Sequence, residues 1–224
     1  GSRNFVNKLW NSTRFVLMNL PERVDRPYSL DEFSRRNLEP ADHWILAQYQ
    51  KTIAAACEAM EGYEVAAAAD ILYGFLWDKL CDWYVELAKI RLQGADGEEK
   101  EAARAILVTV LGGTLKLLHA FAPYVTEELF AALKPYTGET ADLVLDARAP
   151  RLSCDYANEK VQAEMGRLME AVTAIRSRWG STMNTAPGAR FILRMPPRIA
   201  CRRVISSRRS AASFFGSRSR SPVD

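Results

Sequence analysis

The sequence is poor in the residues that usually carry catalysis. Only two histidines occur in 224 residues, and we expect His43 and His119, at the ends of predicted helices, to serve in the core or as helix caps. No glycine-rich phosphate loop follows a predicted strand. Adjacent carboxylates at 98–99 and 127–128 open predicted helices, where the helix dipole favours them. We therefore predict no catalytic, cofactor-binding or metal-binding residues in this chain.

Cysteine and long apolar runs are also scarce. Four isolated cysteines fit neither a disulfide framework nor a zinc site, so we predict buried free thiols at Cys57, Cys81, Cys154 and Cys201. No run of about eighteen apolar residues is present. The N-terminal residues lack the basic, apolar and small-residue segments of a signal peptide. These absences predict a soluble, cytoplasmic protein.

The net positive charge of the chain comes from its last residues. Residues 196–224 hold 7 Arg against 1 Asp, whereas residues 1–195 hold 23 Lys and Arg against 26 Asp and Glu. The last stretch is built from Arg, Ser, Ala and Pro without apolar periodicity, which predicts disorder. A shifted reading frame in GC-rich DNA produces such a mixture. The alternative is a genuine basic arm that binds RNA phosphates.

Residues 64–92 predict a long helix with an apolar surface too wide for one neighbour. The spacing predicts one buried stripe, with Trp83 in the core, formed by Val65, Ala68, Leu72, Phe75, Leu80, Trp83, Leu87 and Ile90. A second apolar series runs beside it, from Tyr73 to Leu92. The charged residues between them are expected to form a solvated edge.

Other helices are predicted at 3–20, 40–61, 98–119, a short piece ending at Leu133, and 156–179. Gly112 and Gly113 lie inside the predicted helix at 98–119, and they predict a close approach by a neighbouring backbone or bulky ring. The segment RFILRM at 190–195 is the one strand-like stretch. The fold class is therefore all-α, a bundle of four to five long helices. We divide the chain into a helical bundle at 1–150, the start of a C-terminal extension at 151–195 and a basic tail at 196–224.

The polar face of the first helix has an unusual composition. It carries Asn4, Asn7, Lys8, Asn11 and Arg14, although Asn is a poor helix former. Amide side chains can pair with a base edge, and Lys and Arg can hold phosphates. The pattern suits recognition of splayed single-stranded bases. A merely polar helix face is the alternative.

Five segments together resemble the anticodon-binding region of valyl-tRNA synthetases, in order and in spacing. They are NKLWNSTRFVL at 7–17, DHWILAQYQKTI at 42–53, FLWDKLCDWYVELAKIRL at 75–92, KLLHAFAPYVTEELF at 116–130 and AIRSRWGSTMNTAPGAR at 174–190. The cluster Cys81–Tyr84 is similar to the valine member specifically. Neither a HIGH-like nor a KMSKS-like ATP motif is present.

This resemblance implies a helical anticodon-binding bundle that recognises the anticodon stem-loop of valine tRNA, tRNA(Val). It implies tRNA-binding residues at Asn7, Lys8, Trp10, Asn11 and Arg14. The parent enzyme would ligate valine to this tRNA with ATP through a separate catalytic domain, and this segment alone would be an inactive monomer without a cofactor. A free-standing helical adaptor and a small helical enzyme are the rival interpretations.

Overall fold

The computed structural model describes residues 2–32, 38–152, 156 and 158–183. Within these residues the chain contains helices and no strand, which confirms the all-α prediction. The helices are α1 (Ser2–Asn19), α2 (Pro40–Glu61), α3 (Val65–Gly74), a π-helical segment (Phe75–Tyr84), α4 (Val85–Gln93), α5 (Glu98–Leu118), α6 (Pro123–Thr137) and α7 (Glu159–Met183). Two 3-10 turns lie at Leu30–Glu32 and Val144–Asp146.

The chain divides inside α7 into two compact units, Gly1–Gly166 and Arg167–Asp224. The second is described only over 167–183, where Leu168 and Ile175 are exposed. The predicted strand at 190–195, the tail at 196–224, Cys154 and Cys201 lie outside the described residues. No helix in the described ranges is long and apolar enough to cross a membrane.

The ends of the helices follow local chemistry. α2 begins with Pro40 in its first turn, where a missing N–H costs nothing, and Gly62 is its C-cap. The Glu39 backbone N–H donates to Asp42 Oδ2 at 3.0 Å, which satisfies a group at the start of α2. α6 is longer than predicted, because it continues through Pro135 and ends only at Gly138, whose φ of 69° is left-handed.

Helix α5 lies at the centre of the first unit. It is buried on every side, with thirteen buried residues that include Gly112 and Gly113. Helices α1, α2, α3, α4 and α6 all pack against it. Tyr49 of α2 lies directly over Gly113, where a Cβ atom would come within 1.7 Å of the Tyr49 hydroxyl oxygen. The close approach predicted for the glycine pair is confirmed.

The π segment changes which face of the long helix is buried. Seven buried residues follow one another at strict four-residue steps: Ala68, Leu72, Leu76, Leu80, Tyr84, Ala88 and Leu92. In an α-helix each such step overshoots the turn by about 40°. The wider turn of the π segment, in which bonds reach five residues back, brings this face back to the core.

The predicted buried stripe is wrong at its first residue and again from Trp83 onward. Val65 and Ile90 are exposed, at 53% and 77%, and Leu87 is only partly buried. Trp83 is also only partly buried, so its predicted place in the core is wrong. Tyr84, the next residue, is fully buried instead. The sequence pattern assumed one uniform helical period, and the π segment breaks that assumption.

A buried ion pair joins the start of α2 to α4. Arg91 donates from Nη1 and Nη2 to the two carboxylate oxygens of Asp42, at 2.8 and 2.5 Å. The Tyr84 hydroxyl also donates to Asp42, at 2.7 Å. Burial lowers the pKa of Arg91, but its bonds to Asp42 outweigh this and raise it overall. Arg91 was expected on a solvated edge; its charge is instead buried and paired.

Cys57 and Cys81 differ in their surroundings. Cys57 is exposed on α2, so the prediction of a buried thiol is wrong there. Cys81 is buried, and its Sγ lies 3.0 Å from the Ser12 hydroxyl of α1. Burial raises the pKa of the Cys81 thiol to about 11, which keeps it in the neutral, unreactive form near pH 7.

Candidate nucleic-acid interface

Helix α1 buries one face and presents another to solvent. Leu9, Thr13 and Val16 form the buried face, and the Thr13 hydroxyl donates to the Leu9 carbonyl at 3.0 Å. Four residues on the other side are exposed, namely Asn4, Asn7, Asn11 and Arg14, and we call them the amide strip. Three of the five residues predicted to bind tRNA, Asn7, Asn11 and Arg14, thus lie on one exposed surface.

The other two predicted residues lie at the margins of the amide strip. Trp10 is partly buried on one side of α1. Lys8 is partly buried on the opposite side, facing the π segment. Its ammonium donates to Asp82 Oδ1 at 2.7 Å and to the Trp77 carbonyl at 3.2 Å. It also lies 3.8 Å from the centre of the Trp77 ring. Lys8 is therefore already engaged within the protein.

Three aromatic rings continue from Lys8 as a stacked column. Trp77 and Tyr73 stack at 5.5 Å with an interplanar angle of 8°, and Tyr73 and Phe5 stack at 4.9 Å and 24°. Phe5 and Lys8, three residues apart on α1, hold the two ends. Tyr73 and Trp77, four apart on the opposing helix, fill the middle. This aromatic column aligns α1 against its neighbour next to the amide strip.

Sequence reasoning did not identify the aromatic column. The available signals were local, since residues three and four apart on a helix share a face. Each pair could be recognised in its own helix. What the sequence could not show is that the two pairs interleave, because they are more than sixty residues apart and the π segment sets their register.

Each of the two histidines lies beside another side chain of the bundle. His119 Nδ1 lies 2.9 Å from the Thr126 hydroxyl, in the first turn of α6. The His43 ring lies 6.5 Å from that of Tyr156. The Thr126 hydroxyl also donates to the Ala122 carbonyl at 2.9 Å, so it is engaged at the start of α6. The amide strip, with amide and guanidinium groups on a rigid helix, is thus the candidate site that the described residues support best.

The sequence of this chain is similar to those of known proteins. A sequence model described as "Anticodon-binding domain of tRNA ligase" matches residues 42–204, which excludes α1. Valine-tRNA ligase of Geobacillus kaustophilus is 39% identical over 184 residues, 82% of this chain and 20% of that protein. The protein of the same name from Carboxydothermus hydrogenoformans is 41% identical over 190 residues, which are 85% of this chain and 20% of that protein. The one from Listeria monocytogenes is 37% identical over 195 residues, which are 87% of this chain and 21% of that protein. The chain spans about a fifth of the length of these relatives.

Proposed function

Because this chain belongs to the family of anticodon-binding domains of tRNA ligases, we propose that it recognises the anticodon stem-loop of tRNA(Val) as one part of a valine-tRNA ligase. The single observation that carries the proposal is the amide strip. Its side chains point to solvent from a helix whose other face is packed into the core. The names of the relatives supply the choice of valine.

The residue types on the strip divide naturally between two tasks. Asn7 and Asn11, one helical turn apart, each present a donor and an acceptor, as reading a base edge requires. Arg14, one further position around the same face, can hold a phosphate or stack on an unpaired base. Trp10 at the margin offers an indole edge. Since bases in an anticodon loop are unpaired, their edges are accessible to such side chains.

The double substitution Asn11→Ala/Arg14→Ala tests this proposal. Both side chains are exposed, so we expect the melting temperature and the circular dichroism spectrum to stay nearly constant. Loss of one base contact and one charged contact should weaken binding of a tRNA(Val) anticodon stem-loop by at least about tenfold. Fluorescence anisotropy with labelled RNA measures this directly.

The matched control is Arg148→Ala, which removes an equally exposed arginine far along the chain. It should change affinity less than about twofold at physiological salt, because a single exposed charge outside the amide strip is screened by salt. If Asn11→Ala/Arg14→Ala binds the stem-loop as tightly as the unmodified chain, the amide strip does not contact tRNA.

The catalytic step would belong to other parts of the proposed ligase. We propose a separate catalytic domain as the partner that binds ATP and activates valine, with the assembly monomeric in the cytoplasm. The chain alone, which carries no HIGH-like or KMSKS-like motif, is expected to give no valine-dependent exchange of pyrophosphate into ATP. Exchange above the no-valine background in the purified chain would contradict this.

A further inference from the structure

The side chains of α1 that contact the π segment restrict rotation of α1 about its own axis. The polar contacts come from Lys8 and Ser12, one turn apart on α1, to residues 77, 81 and 82 of the π segment. Phe5 adds the outer end of the aromatic column. These contacts grip one side of α1, at the margin of the amide strip, and leave the strip itself uncovered.

Rotation of α1 about its own axis would displace the side chains of the amide strip. Side-chain tips lie roughly 5–6 Å from a helix axis, so a turn of 30° moves them by about 3 Å. That displacement is as long as a hydrogen bond. Base reading by Asn7 and Asn11 therefore requires a device that fixes the rotation of α1 to within a few degrees.

Lys8 is poorly placed to bind a phosphate itself. Its ammonium is bonded to the Asp82 carboxylate, which is 49% exposed and would repel an approaching phosphate. A second donor bond goes to the Trp77 carbonyl, and the Trp77 ring occupies a further side of the ammonium. Reaching RNA would break all three interactions.

We propose that Lys8 is a positioning residue for tRNA recognition, which fixes the rotation of α1 by holding the Trp77 ring and the Asp82 carboxylate. It does so without touching RNA. This inference rests on the proposed function, since it assigns a role within the same surface. It also revises the expectation that Lys8 is itself a tRNA contact.

The two roles predict opposite effects for Asp82→Asn. If Lys8 positions α1, loss of the Asp82 charge loosens the restriction on rotation, and affinity for the tRNA(Val) stem-loop falls. If Lys8 binds phosphate, the same substitution frees its ammonium and removes a repelling charge, so affinity rises. Because Asp82 is about half exposed, this variant does not threaten the fold.

The experiment compares Lys8→Met, Asp82→Asn and the double variant in the full chain. The affinity of each for the stem-loop is measured at several salt concentrations from about 50 to 200 mM, which gives its salt dependence. We expect Lys8→Met, which removes the ion pair and the cation–π contact, to bind about five- to tenfold more weakly. Asp82→Asn, which removes only the ion pair, should bind about two- to fivefold more weakly. The double variant should bind no more weakly than Lys8→Met. The slope of log affinity against log salt should stay unchanged, whereas loss of a phosphate contact reduces it by about one.

Lys51→Met is the charge-matched control, since Lys51 is exposed on α2. It should leave both affinity and slope unchanged. Tighter binding by Asp82→Asn, a slope reduced in Lys8→Met, additive losses or unchanged affinity would each overturn the inference. These outcomes are distinct from failure of the proposed function, in which the unmodified chain does not prefer the tRNA(Val) stem-loop or Asn11→Ala/Arg14→Ala binds normally.

Discussion

Asp42→Asn is expected to lower the free energy of unfolding by about 3–5 kcal/mol, the usual cost of removing one partner from a buried ion pair. Asp42 is fully buried and accepts both guanidinium bonds from Arg91 and one from the Tyr84 hydroxyl. An amide of the same size has no charge and only one acceptor oxygen. Arg91 would then keep only the half-exposed Glu39 carboxylate, 3.6 Å from its Nε, as a counterion. Since a domain is stable by only about 5–15 kcal/mol, much of that margin would be lost.

Urea denaturation followed by circular dichroism measures this loss. Glu86→Gln is the matched control, because it removes a carboxylate from the more exposed pair of Lys89 and Glu86. That change should cost under about 1 kcal/mol. A loss below about 1 kcal/mol for Asp42→Asn would mean that solvent reaches the pair, and the account of a buried network would fail.

Gly113→Ala is the second substitution with a large expected effect. Helix propensity alone would favour alanine by about 1 kcal/mol. The new Cβ, however, would lie 1.7 Å from the Tyr49 hydroxyl oxygen and 2.9 Å from both Tyr49 Cζ and Pro150 Cβ. Tyr49 stacks on Phe75 at 5.6 Å and is buried, so its ring cannot simply swing away. We expect a net loss of about 3 kcal/mol, at the upper end of the cost of overpacking.

The neighbouring glycine provides the control. In Gly112→Ala the new Cβ would approach the Thr137 Cγ2 methyl at 3.3 Å and the Leu133 Cδ2 methyl at 3.5 Å, and these tips of side chains can shift. Its stability should change by less than about 1 kcal/mol, since propensity and crowding nearly cancel.

Tyr49→Phe tests the mechanism of the Gly113 effect. Among the described residues, the Tyr49 hydroxyl has no hydrogen-bond partner, so its removal should cost little by itself. In the double variant Tyr49→Phe/Gly113→Ala the closest contact disappears, and at least about half of the lost stability should return. Equal stability of the Gly112→Ala and Gly113→Ala variants would show that the tyrosine does not constrain position 113.

Local chemistry explains which parts of this fold could be predicted from the sequence. Pro40 and Gly62 mark the ends of α2 correctly, because each restricts the backbone by itself. The glycine pair in α5 indicated a close neighbour, since glycine in a helix costs stability without one. Likewise, three asparagines on an otherwise good helix indicated an exposed surface, and the structure places all three there.

Long-range pairing could not be predicted in the same way. Asp42 and Arg91 are 49 residues apart, and each alone resembles a surface charge. Asp42 lies in the first turn of α2, where the helix dipole favours a carboxylate, so its position alone does not indicate the buried pair. Lys8 belonged to a plausible phosphate-binding set, but its contacts with Trp77 and Asp82 became visible only once α1 was packed against the π segment.

The π segment makes the length of this stretch as important as its composition. With the winding otherwise unchanged, loss of one residue between Phe75 and Tyr84 would rotate the following helix by roughly a quarter of a turn. Lys89 would then take the place of Ala88 in the core, and Arg91 would leave Asp42. A substitution in this stretch leaves the spacing of the later residues unchanged, but an insertion or deletion moves every later residue to a different face of the helix. A relative with a gap at residues 75–84 must therefore wind this stretch differently, because only then does its later helix keep the same buried face.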